Sequence, residues 1–83
     1  MNEAKLNMTK TYRTQSLYEA SYLLALGFRI VSSDAAGQKT TLVFDDTLKL
    51  RQAVVDFYNG DGVVRAKPFV ESYRSLKDMV FQR

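Results

Sequence analysis

The sequence predicts a single α+β domain with element order β-α-β-β-α-α. Three antiparallel-leaning strands form a sheet of order 2-3-1, with the helices packed on one face. Three observations carry this. Short β-prone runs alternate with amphipathic segments at helical spacing. Glycine-rich stops separate them, with Gly27, Gly37, Gly60 and Gly62 each falling where a pattern ends. The 83-residue length leaves room for one core only.

Thr11-Tyr12-Arg13-Thr14-Gln15 reads as the first strand, rich in Thr and Tyr and without helical period. Ser16 opens the first helix as N-cap, and Glu19 three residues on completes a capping-box pattern. Gly27 is the expected C′ stop. Between them Leu17, Ala20 and Leu24 form one stripe, and Tyr18, Tyr22, Ala25 and Leu26 a second face. A helix apolar on two faces is sandwiched between layers, or it leaves a tyrosine face, Tyr18 and Tyr22, for a partner.

Phe28 to Ser33 reads as the second strand, with Phe28 and Ile30 inward and Arg29, Val31 and Ser33 outward. Asp34-Ala35-Ala36-Gly37 suits a type I turn. Thr40 to Phe44 is the third strand, with Leu42 and Phe44 inward and Thr41 and Val43 outward. Placing it in the centre makes every neighbouring pair antiparallel, whereas the order 1-2-3 needs a crossover. Asp45-Asp46 precedes a second helix running to about Tyr58, whose buried stripe is Leu50, Ala53, Val54 and Phe57. Asn59-Gly60-Asp61-Gly62 stops it. Pro68 fits a first helical turn, so the third helix begins near Lys67, with Phe69, Tyr73, Leu76 and Val80 inward. Residues 1–10 read as a flexible N-terminal arm and 11–83 as the domain.

Chemistry is narrowed by what is missing. There is no His and no Cys, which removes the commonest general base, the thiolate and the best zinc ligands. The adjacent Asp45 and Asp46 stand where a helix wants a cap and negative charge, not at a metal-ligand spacing. Asn59 to Gly62 lacks the terminal Glu of a calcium loop and the Lys of a phosphate loop. Ser16 has no base at a recognisable spacing. No catalytic residue, cofactor, metal or small-molecule substrate is indicated, and the expectation is a protein without enzymatic activity.

Net charge is +3, from twelve basic and nine acidic residues. Arg13, Arg29 and Lys39 are the candidate nucleic-acid contacts on a weakly basic sheet face. That face carries no strand-borne ring to stack bases, Tyr12 being ambiguous. On the third helix Lys67, Glu71, Arg74 and Asp78 alternate in sign, as a solvated surface does. No apolar run of about 18 residues exists to span a membrane. The absence of Cys fits a reducing cytoplasm.

The run Tyr12-Arg13-Thr14-Gln15-Ser16-Leu17-Tyr18-Glu19-Ala20, followed by Leu23-Leu24-Ala25-Leu26-Gly27-Phe28, resembles the opening of a family of small prokaryotic and phage domains of unknown function. Phe57-Tyr58-Asn59-Gly60, then Phe69 and Leu76-Lys77, resembles its closing half. The resemblance implies a bacterial, archaeal or phage source and supplies no site residues. The expected function is a small interaction module binding a protein partner or itself. The alternative is a nucleic-acid-binding accessory protein.

Overall fold

A computed structural model describes residues 10–81. The expected N-terminal arm therefore lies outside the described residues, apart from Lys10. The order is β1 (Thr11–Thr14), α1 (Leu17–Ala25), β2 (Ile30–Ala36), β3 (Lys39–Asp45), α2 (Leu48–Asn59) and α3 (Ala66–Phe81). The sheet has β3 at its centre, antiparallel to both neighbours. A tight hairpin joins β2 to β3, α1 carries the chain from β1 to the far edge, and no parallel pairing is needed.

Register sorts the side chains. Tyr12 pairs with Phe44, Thr14 with Leu42, and Ile30 with Phe44, so these share one face. Leu42 and Phe44 are completely buried there, in a cluster with Ala20, Leu23, Leu50, Ala53 and Leu76 from the three helices. Thr11, Arg13, Thr41 and Asp45 fall on the opposite face. Val43 shares it by alternation but is only 3% exposed, against the expectation that it points into water. It is flanked by Arg13 and Ser32 on the two edge strands, and Arg13 reaches across to Asp34.

The second strand differs most from expectation. It starts at Ile30 and continues to Ala36, so the hairpin loop is only Gly37-Gln38, not a type I turn beginning at Asp34. Gly37 has φ 64°, and among the described residues no non-glycine residue has positive φ. That is the pattern of a type II′ hairpin, which needs glycine at its first central position. A bulge lies between Ile30 and Ser32. Val31 is the extra residue, so every later side chain changes face, and Ser33 opposes Leu42 on the helix side. Strict alternation from Phe28 fails for that reason.

The helix ends follow the expected chemistry. Ser16 caps α1 by accepting the Glu19 N–H. Gly27, at φ 107°, closes α1, its N–H donating to the Leu24 carbonyl and that of Phe28 to the Leu23 carbonyl. This is a Schellman arrangement with Gly27 at C′. Gly60 closes α2 in the same way, with the Asp61 N–H on the Asp56 carbonyl. One expectation is corrected here. The N-cap of α2 is Thr47, whose hydroxyl accepts the Leu50 N–H, and neither Asp45 nor Asp46 caps it. Asp45 ends β3 instead, and Asp46 holds Arg51.

Helix α1 is the centre of the helical layer. Residues 19–23 are all buried, leaving no wholly free face. Leu24 and Ala25 lie beside Pro68 and Glu71, while Leu17 lies beside Val80 and Phe81, so α3 runs antiparallel to α1. The two-faced apolar pattern is thus explained mainly by packing.

Candidate functional site

The capping motif that opens α1 builds an unexpected centre. In a capping box the Glu side chain folds back to the N-cap N–H. Here the Thr14 hydroxyl occupies that position, accepting the Ser16 N–H at 3.1 Å and donating to Glu19 Oε1 at 2.8 Å. Glu19 is thereby turned inward and is 1% exposed. Tyr58 donates its hydroxyl to Glu19 Oε1 at 2.7 Å, and Tyr12 donates to Oε2. Three hydroxyl donors from β1 and α2 converge on one buried carboxylate at the start of α1.

The surroundings extend the network. Arg51 lies over the Tyr12 ring, 5.3 Å from its centroid, and holds Asp46 through two hydrogen bonds of 2.7 and 2.9 Å. That guanidinium keeps the Asp46 carboxyl below its usual range. Burial, then the bond to Glu19, pushes the Tyr12 hydroxyl far above the usual phenol range. Tyr58 is pushed up chiefly by its bond to Glu19. Raised phenols are poor sources of phenolate, and the Tyr12, Thr14 and Tyr58 hydroxyls are all already committed to the Glu19 carboxylate. No buried polar side-chain atom lacks a partner among the described residues. The arrangement is a closed lock between β1, α1 and α2, bordering an open hollow of about 590 Å³.

Sequence reasoning assigned Glu19 only a capping role and missed Thr14 and Tyr58. Part of the signal was available. Tyr12 and Thr14 share a strand face by alternation, and Glu19 follows Ser16 at the capping distance. Nothing local pointed to Tyr58, which stands 39 residues from Glu19.

The three candidate cations are not brought together. Arg13 projects from β1 on the open sheet face and is paired with Asp34 at 3.2 Å. Arg29 precedes β2, beside the end of β3, whereas Lys39 begins β3 at the hairpin. The strand between them spans roughly 17–20 Å at its usual rise. Arg29 and Lys39 form no ion pair among the described residues.

The two candidate partner-face tyrosines part company. Tyr22 is 5% exposed, packs against Phe57 with centroids 5.2 Å apart, and belongs to the core, so it presents no surface. Tyr18 is 60% exposed and stacks on Tyr73 of α3, with centroids 5.1 Å apart and planes 2° from parallel. Lys77 Nζ lies 5.7 Å from the Tyr73 ring. The hydroxyl of Tyr18 raises that of Tyr73 by hydrogen bonding.

Among the described residues no group of three or more acidic side chains is placed to hold a metal ion. Nor is any helix long and apolar enough to cross a membrane. No curated protein and no solved structure matches the chain. Its family is nevertheless shown, because the model of one family matches residues 9–82: the chain belongs to DUF5659, a domain of unknown function.

Proposed function

We propose that the domain is a non-catalytic interaction module that binds a protein partner or a second copy of itself through the outer surface of its helical layer, centred on Tyr18. The observation that supports this is the Tyr18–Tyr73 stack, in which a large ring is held in place yet remains mostly in water. A ring already fixed by stacking loses little freedom on binding, and tyrosine is enriched where proteins meet. On α3, spacings of 3, 4 and 4 residues place Val70, Tyr73, Lys77 and Phe81 along one flank, and Val70 and Phe81 are both exposed. The closed Glu19 network speaks against chemistry at the most polar part of the molecule. A cysteine-free domain of this kind suits a reducing prokaryotic cytoplasm.

Sedimentation velocity up to millimolar concentration tests the self-association form, and affinity capture from the native host tests the partner form, each with Tyr18→Ala as control. A complex that weakens in Tyr18→Ala, with an unchanged melting temperature, is expected. A strict monomer whose captured proteins are the same with and without Tyr18 would refute the assignment. The nucleic-acid alternative has weaker support, since Arg13 is neutralised and Arg29 and Lys39 stand apart. Salt-sensitive binding of labelled DNA or RNA, abolished by Arg29→Glu, would reverse that preference.

A further inference from the structure

We infer that the hollow at the foot of α2 is a binding site of its own, taking the C-terminal end of a peptide chain that finishes in an apolar side chain and a free carboxylate. The hollow is about 540 Å³, within the usual size range of ligand sites and large enough for the last residues of a peptide. Phe28 and Leu48 form apolar walls, and Gly27, without a side chain, leaves the space beside them open.

Leu48 stands out. It is 89% exposed at the first position of α2, the most exposed large apolar side chain among the described residues. It packs on nothing in the core cluster, and capping is already done by Thr47. An apolar side chain at the rim of an apolar hollow is explained if a ligand covers it.

Charge selects the ligand. Arg29 and Lys49 border the hollow, and neither forms an ion pair among the described residues. Asp45 shares the rim, next in the chain to Phe44, whose register partner is Ile30. Two cations against one carboxylate leave a single positive charge, suited to one anion and not to a polyanion. A guanidinium takes a carboxylate through two parallel hydrogen bonds, while the apolar wall accepts the terminal side chain.

The test titrates the full chain with the tetrapeptide Ala-Ala-Leu-Phe as free acid and as C-terminal amide, followed by ¹⁵N–¹H spectra and fluorescence anisotropy. The free acid is expected to saturate shifts at residues 28–29 and 47–49, with the amide at least about tenfold weaker. Leu48→Glu and Arg29→Glu should each weaken the free acid at least about fivefold without lowering the melting temperature, because both positions are exposed and Glu is favoured in a first helical turn. Tyr18→Ala should leave peptide binding unchanged, which separates this site from the helical-layer surface. Equal binding of acid and amide, shifts that saturate elsewhere, no shift at millimolar peptide, or dodecanoate binding the hollow more tightly than the peptide would each overturn the proposal.

Discussion

Replacing Glu19 by glutamine changes little volume and removes one charge, which makes it the sharpest probe of the lock between β1, α1 and α2. The wild-type carboxylate accepts hydroxyls from Tyr12, Thr14 and Tyr58. An amide can keep its oxygen where Thr14 and Tyr58 donate, but its NH₂ then meets the Tyr12 hydroxyl, which must give up its own donation. One charge-assisted bond is lost, worth about 1.5–3 kcal/mol, and two others weaken to neutral bonds. The sum is roughly 2–4 kcal/mol. A domain of this size has about 4–12 kcal/mol in all, so the variant should be visibly marginal. At about 4–8 °C per kcal/mol, the melting temperature should fall by at least about 8 °C.

Urea unfolding followed by far-UV circular dichroism measures the difference directly, with an unchanged slope showing that the denatured state is comparable. A double-mutant cycle with Tyr12→Phe apportions it. Alone, Tyr12→Phe loses one bond to the carboxylate. In the Glu19→Gln background it removes a mismatched hydroxyl and should cost far less, giving a coupling of about 1–3 kcal/mol. A Glu19→Gln cost under about 0.5 kcal/mol, with no coupling to Tyr12, would refute the account of Glu19 as a charged hub.

Three further outcomes follow from the same geometry. A methyl group at Gly62 would lie 2.5–2.9 Å from the Tyr22 ring, and Tyr22 is buried, so Gly62→Ala should destabilise by about 1–3 kcal/mol in a urea titration, whereas Gly62→Ala combined with Tyr22→Leu should recover part of the loss. A Cβ at Gly27 would meet no atom within 4 Å, but the residue must adopt φ 107°, so Gly27→Val should cost about 1–3 kcal/mol through backbone strain, and an unchanged melting temperature would contradict the helix ending. The Tyr12 and Tyr58 hydroxyls have folded values above the unfolded phenol range, so their contribution is full below about pH 10 and is lost as pH rises beyond it, with the larger share from the more buried Tyr12. Melting temperature measured from pH 8 to 11 should therefore fall more steeply in wild type than in Tyr12→Phe.

Much of the fold was legible because its signals are local. Ser16 and Gly27 bracket α1, Gly60 closes α2, and the central place of β3 follows from avoiding a parallel pair. Where the reading failed, a competing local solution won. Thr47 outbid two aspartates as N-cap because Asp45 was needed in the ladder and Asp46 by Arg51. The bulge at Val31 broke an alternation that periodicity alone cannot interrupt. Tyr18 and Tyr22 lie four residues apart and looked equivalent. Their fates differ because Tyr22 meets Phe57 and the Gly62 turn, contacts made by a part of the chain about 35–40 residues away.

The same reasoning explains why the site was harder to see than the fold. A capping box is recognised within four residues, and it accounted so well for Ser16 and Glu19 that no further role for Glu19 was needed. Yet the Thr14 hydroxyl takes over the Ser16 N–H, which frees the carboxylate to turn inward and collect Tyr12 and Tyr58. Burying that charge ties β1 and α2 to α1 without any long apolar contact, a useful device in a chain with so small a core. It also consumes the groups that would otherwise be the best candidates for chemistry. The two surfaces proposed for binding lie outside the lock: the ring of Tyr18 on one side, and the hollow lined by Leu48, Arg29 and Lys49 on another. Substitutions at those exposed positions should alter binding while leaving the fold intact, and substitutions at Glu19 should do the reverse.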